Sequence, residues 1–99
     1  MNERQGILPA LITPLEADRR LHTHALEALL TRLYDADVHG VYLCGSTGEG
    51  MLQSAAQRKL VTEIAVKNSP PEKQIVVHVG ANTTAETIDL ARHAAQSGA

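Results

Sequence analysis

The chain has 99 residues, a formal net charge of -2 and a pI near 6.2, so it offers no basic surface to draw nucleic acid or an anionic membrane. Its 43% hydrophobic and 20% charged content is that of one ordinary globular domain at most. Aromatic content of 2%, without Phe or Trp, weakens any case for base stacking or an aromatic ligand cage and leaves a core of Leu, Val, Ile and Ala. The first apolar run, Ile7-Leu8-Pro9-Ala10-Leu11-Ile12 closed by Thr13-Pro14, predicts a strand over 7–13. Pro9 removes a ladder donor but is tolerable near a strand start. A polar loop follows from Glu16 to Arg20. Leu26, Leu29, Leu30 and Leu33 then recur at helical spacing and predict a helix over 23–36. Val38 to Cys44 is nearly all apolar, as a buried parallel strand is, and predicts a strand over 39–45.

Ser54 with Gln57 has the capping-box spacing and opens a helix over 54–68, with Leu60, Val61, Ile64 and Ala65 on one side and Pro70-Pro71 beyond its end. Ile75 to Val79 is rich in β-branched residues and predicts a strand over 75–79. Gly80-Ala81-Asn82 turns the chain. Thr83 with Glu86 repeats the capping box and starts a helix over 84–97, carrying Ile88, Ala91 and Ala95, with Gly98 as its cap. The order is βαβαβα, an α/β arrangement with a parallel sheet and right-handed crossovers.

A lone cysteine, Cys44, excludes an internal disulfide and fits a reducing compartment. No basic start followed by an apolar stretch marks a signal peptide, and no run approaches the ~20 apolar residues of a membrane helix. The expected setting is the cytoplasm.

The second strand ends in Gly45-Ser46-Thr47-Gly48-Glu49. The carboxyl ends of parallel strands are where α/β folds place ligands. Gly45 and Gly48 let the backbone turn tightly and approach a ligand, and successive N–H groups in such a turn form an anion nest. Ser46 and Thr47 add hydroxyls suited to a carboxylate, and Glu49 can bond back to shape the loop. The residues alone leave open whether this is a binding loop or simply a glycine-rich connection. It is neither a P-loop nor a dinucleotide fingerprint.

The stretch Gly40 to Ser54, GVYLCGSTGEGMLQS, resembles the signature of the N-acetylneuraminate lyase and dihydrodipicolinate synthase family, the pyruvate-handling class I aldolases. GILPALITPL (Gly6 to Leu15) and HVGANTTAETIDLARHAA (His78 to Ala95) are similar to the family's first strand and to its third strand and helix. The resemblance implies a (β/α)8 TIM barrel, of which this chain supplies only the first three βα units. It implies that Ser46 and Thr47 bind the carboxylate of a 2-keto acid, and that Ser46 relays a proton to a catalytic tyrosine. Gly45, Gly48 and Glu49 shape that loop. Ser46, where synthases commonly have threonine, and the His78-Val79-Gly80 sequence both lean toward the sialic-acid lyases. His22 departs from the family's acidic cap and Asp37 from its helix-ending glycine.

The family's Schiff-base lysine and catalytic tyrosine come from later strands. Lys59 and Lys67 fall on the second helix and Lys73 in the loop before the third strand; Tyr34 falls late in the first helix and Tyr42 mid-strand. None of these lysines falls at the carboxyl end of a strand, and the two tyrosines are poor substitutes. The 99 residues are therefore expected to be the front part of a longer aldolase, inactive alone, holding the carboxylate site without its chemistry. The substrate is N-acetylneuraminate, pyruvate with aspartate semialdehyde, or a 2-keto-3-deoxy sugar acid. No cofactor, metal, nucleic acid or membrane partner is implied, and a homotetramer is. A non-catalytic keto-acid-binding module and a doubly wound domain are the alternatives.

Among the other residues, Cys44 reads as a buried strand-end residue, and His78 as a support behind the site or, the favoured reading, a satisfied core histidine. His22, His24, His39 and His93 have no ligand spacing and read as surface or loop residues. Thr13 ends its strand close to the presumed site. Asn82, Thr83 and Thr84 read as caps. Arg58, Lys59, Glu63 and Lys67 read as a solvated helix face with a Glu63–Lys67 pair.

Overall fold

A computed structural model describes residues 6–99. The helices are α1 (Thr23–Asp35), α2 (Ala55–Lys67) and α3 (Thr84–Ser97). The strands are β1 (Gly40–Leu43) and β2 (Gln74–Val77), paired in parallel with Val41 opposite Ile75 and Leu43 opposite Val77. A short 3-10 turn, Gly50–Leu52, precedes α2 and has no counterpart in the sequence expectation.

Each helix start is set by one side chain. Ser54 Oγ accepts from the Gln57 N–H and Thr83 Oγ1 from the Glu86 N–H, both at 3.1 Å. At α1 the imidazole of His22 does the same work, Nδ1 accepting from the Ala25 N–H at 3.1 Å. Gly98, at φ 101°, closes α3 as expected of a left-handed cap. Gln57 does not complete its box. Its carboxamide accepts from the Leu21 N–H at 3.0 Å and donates to Gln53 Oε1 at 3.1 Å instead.

The strand expected over 7–13 forms only a single parallel bridge, Ala10 to Tyr42. The Leu11 N–H donates to the Tyr42 carbonyl, and the Tyr42 N–H to that of Pro9, both at 2.9 Å. One step earlier, Pro9 has no N–H to give the Gly40 carbonyl. One step later, Cys44 adopts φ 60° and turns the partner strand away. The same turn ends at Leu43 the strand expected to reach residue 45.

Among the described residues, helices cover one face of the sheet. Leu11, Val41, Leu43 and Ile75 are buried against Leu26 and Leu30 of α1 and Val61, Ile64 and Ala65 of α2. Ile12, Tyr42 and Val76 alternate with them on the uncovered face, where Ile12 is 57% exposed. The result is a slab of 37 × 34 × 20 Å, one helix layer on one sheet layer.

Two expected faces are corrected. On α3 the buried residues are Leu90 and Ala94, while Ile88, Ala91 and Ala95 are exposed. On α2, Arg58 is not solvated but 3% exposed, and Leu60 faces solvent. Glu63 meets His93 Nε2 of α3 at 2.7 Å rather than Lys67, and Lys59 meets Asp89 at 2.6 Å. Both pairs join α2 to α3, because the helices lie side by side and their charged edges face each other. No helix among the described residues is long and apolar enough to cross a membrane.

Candidate functional site

The loop after β1 is bent by its own backbone. Cys44 at φ 60° and Glu49 at φ 53° both occupy the left-handed region, which costs a residue with a Cβ roughly 1–2 kcal/mol. Between them the Gly50 N–H donates to the Gly45 carbonyl and the Glu49 N–H to the Ser46 carbonyl, both at 3.1 Å. Gly45, Gly48 and Gly50 are buried, and Ser46, Thr47 and Glu49 are exposed. A Cβ on Gly50 would run into the Cys44 carbonyl, and one on Gly48 would sit 2.9 Å from the Leu11 carbonyl. Glycine at these positions lets the turn fold flat onto the strand ends.

The loop is tied down from beneath. Thr13 Oγ1 donates to the Gly48 carbonyl at 2.6 Å, and Gln53 Nε2 donates to the same carbonyl at 2.7 Å and to Thr13 Oγ1 at 3.1 Å. Thr13 thus shapes the loop from the covered side of the sheet. The bond expected from Glu49 is absent: among the described residues its carboxylate caps nothing, and Gln53 does that work. Nothing in the sequence pattern marked Gln53, which follows the 3-10 turn and belongs to no periodic stripe.

Above these ties, among the described residues, the N–H groups of Ser46, Thr47 and Gly48 have no acceptor and the Ser46 and Thr47 hydroxyls have no partner. Adjacent unpaired donors and two hydroxyls at a strand end suit a small carboxylate.

The neighbouring polar residues have structural surroundings. The Arg58 guanidinium donates to the carbonyls of Gly80 at 2.8 Å and His78 at 2.7 Å, stitching α2 to the end of β2. Among the described residues its Nε and His78 Nδ1 are buried without partners, so there His78 is not the satisfied core histidine that the sequence favoured. Burial pushes the Cys44 thiol above its ordinary range, an effect the nearby Arg58 charge only partly offsets. Cys44 therefore sits as a neutral thiol, as its apolar setting implied.

The lysines lie away from the loop. Lys59 is paired with Asp89, Lys67 ends α2, and Lys73 donates to the Val38 carbonyl at 2.9 Å near the start of β1. Tyr34 shares a 2.6 Å hydrogen bond with Ser69, and Tyr42 packs over Gly45. Among the described residues no three His, Cys, Asp or Glu side chains are grouped as a metal site.

The sequence profile of the dihydrodipicolinate synthetase family matches residues 3–99. The chain belongs to this family. It is 39% identical over 95 residues to a 4-hydroxy-tetrahydrodipicolinate synthase of Methanothrix thermoacetophila, covering 96% of this chain and 32% of that one. It is 35% identical over 94 residues to an N-acetylneuraminate lyase of Salmonella paratyphi B, covering 95% and 32%. Among solved structures, the N-acetylneuraminate lyase of Aliivibrio salmonicida superposes with a TM-score of 0.91 at 31% identity, covering 97% of this chain and 32% of that one. A dihydrodipicolinic acid synthase family protein of E. coli K12, solved in complex with pyruvate, superposes with a TM-score of 0.89 at 33% identity, covering 95% and 32%. The chain thus spans about a third of the length of the family members it matches. Similarity to both the synthases and the lyases leaves the lean given by Ser46 undecided.

Proposed function

We propose that this chain forms the first three βα units of a (β/α)8 barrel and supplies the carboxylate-binding loop of a pyruvate-dependent class I aldolase. The observation that carries the reading is the exposed Ser46-Thr47 pair, with unpaired N–H groups, on a loop locked from below at the carboxyl end of β1. The Ser46 and Thr47 hydroxyls donate to the keto-acid carboxylate and orient its C2 carbonyl. A lysine amine adds to that carbonyl and water leaves, giving an iminium. The iminium draws in the electron pair of the bond being broken, or releases it to the bond being made, one carbon further on. Ser46 passes the proton through its hydroxyl. The imine lysine and its tyrosine lie outside these 99 residues, which are inactive alone. Gly45 and Gly48 set the loop, and the Glu49 backbone turns it. A cytoplasmic homotetramer acting on a sugar-derived keto acid, or on pyruvate with an aldehyde, completes the proposal.

Borohydride trapping with pyruvate on the polypeptide from its natural source, read by intact mass, tests it. One reduced pyruvate adduct on a chain of about 250 residues or more is the expected result. A natural 99-residue chain that gains nothing removes the catalytic reading and leaves a keto-acid-binding module. In the enzyme that gives this adduct, Thr47→Val should raise the pyruvate needed for half-maximal trapping about tenfold, the equivalent of one lost hydrogen bond to a charge. Ser46→Ala should do the same and also slow turnover. Unchanged saturation in both variants would remove the carboxylate assignment.

A further inference from the structure

We propose that Gln53 is a positioning residue for the Ser46-Thr47 loop, holding the peptide between Gly48 and Glu49 in a single orientation through its carboxamide. For its effect on keto-acid binding the proposal rests on the reading above. That peptide is gripped at both ends. Its carbonyl accepts from Thr13 Oγ1 at 2.6 Å and from Gln53 Nε2 at 2.7 Å, and its N–H donates to the Ser46 carbonyl at 3.1 Å. A carbonyl oxygen has two lone pairs, and both are used. The grip is sheltered, with Thr13 8% and Gln53 9% exposed, so water competes poorly for these bonds.

The carboxamide is itself held. Gln53 Oε1 accepts from Gln57 Nε2 at 3.1 Å, and Gln57 Oε1 accepts from the Leu21 N–H at 3.0 Å. This chain of amides dictates which end of Gln53 is oxygen and which is nitrogen, and so aims a donor at Gly48. Gln53 does not reach the exposed side of the loop; it acts through the Gly48 carbonyl. With the donor removed, the peptide can rotate, the Glu49 N–H leaves Ser46, and the Ser46 and Thr47 donors no longer converge.

The test uses Gln53→Leu and Gln53→Glu in the natural polypeptide that carries this segment. Leucine keeps the bulk and loses the amide. Glutamate keeps the shape, still accepts from Gln57, and turns an acceptor toward Gly48. Amide exchange at Glu49 should accelerate about tenfold in both, the loss of one ordinary hydrogen bond. Half-saturating pyruvate in borohydride trapping should rise by a similar factor, with the maximal adduct unchanged. Wild-type exchange at Glu49 in a folded variant overturns the proposal. Faster exchange with unchanged half-saturation overturns the link to binding. A lower thermal midpoint with neither change shows a merely structural role and also overturns it. If the wild-type chain gives no pyruvate adduct, the keto-acid reading falls, and exchange at Glu49 alone decides whether Gln53 holds the loop. Should Gln53→Leu not fold, Gln53→Glu carries the comparison.

Discussion

Cys44 combines a left-handed backbone with a buried thiol, and both have consequences that can be measured. The folded thiol titrates above its ordinary value of 9.0, because burial disfavours the thiolate. Below 9.0 the thiol is neutral in the folded and unfolded chains alike, and the contribution to stability is fully present. As pH rises past 9.0 the unfolded chain releases the proton while the folded chain retains it, so stability falls until the folded value is passed. Denaturant titrations between pH 8 and 11 should show this decline, and Cys44→Ala should flatten it. A thiol reagent should label the native chain slowly and the denatured chain fully. Asp37 is the second left-handed residue of interest, at φ 66° where α1 gives way to β1. Asp tolerates that region better than most residues, yet glycine enters it without penalty. Asp37→Gly should therefore raise stability by about 1 kcal/mol. The ion pair lost is a 4.0 Å approach to Lys73 from a side chain 98% exposed, which is worth little. An unchanged denaturation midpoint would mean that the turn carries no strain.

Arg58 joins three elements: it leaves α2, lies near Cys44 at the end of β1, and grips the carbonyls that follow β2. Arg58→Met would keep the stem packed but leave the Gly80 and His78 carbonyls unpaired. The expected cost is about 2 kcal/mol in unfolding free energy, about 1 kcal/mol for each orphaned acceptor, since both are only half-buried. Arg58→Lys should recover part of it, because an ammonium lacks the planar fork that serves both carbonyls. Full stability in the methionine variant would show that the loop after β2 needs no tie. The burial of Arg58 was legible in principle. Arg58, Val61, Thr62 and Ala65 recur at i, i+3, i+4 and i+7, the spacing of a buried stripe, and all four are buried. The neighbouring charges masked it. Helices were legible for the opposite reason: leucine spacing and the hydroxyl caps at Ser54 and Thr83 agree locally with the fold. The strand over 7–13 was not, because a ladder depends on the partner's geometry, and Cys44 bends that partner away. The Ser46-Thr47 loop was legible as a motif. Its ties to Thr13 and Gln53 were not, since they span 35 and 5 residues without a periodic signal.

The misjudged stripe on α3 bears on the molecule as a whole. Ile88, Ala91 and Ala95 recur at helical spacing but do not face the core. Ala91 and Ala95 line an apolar groove of about 380 Å³ whose other wall is Val76, Val77 and Val79. The outer edge of β2 runs along this groove, and Tyr42, Val76 and Ile12 lie on the sheet face that no helix among the described residues covers. The barrel reading assigns the groove to a following βα unit and the uncovered face to the barrel interior. A 99-residue polypeptide made on its own would present both to water. Parallel strands are stable when both faces are covered, and unpaired edges recruit other chains. Such a polypeptide should self-associate, with a sedimentation mass above 10.6 kDa that rises with concentration. It should also bind an apolar dye. Ala95→Glu places a charge in the groove and should reduce association without touching Leu90 or Ala94, which hold α3 to the core. A monomer with a sharp, dispersed NMR spectrum and no dye binding would show instead that this segment closes on itself. The groove would then need no partner, and the barrel assignment would lose its support from packing.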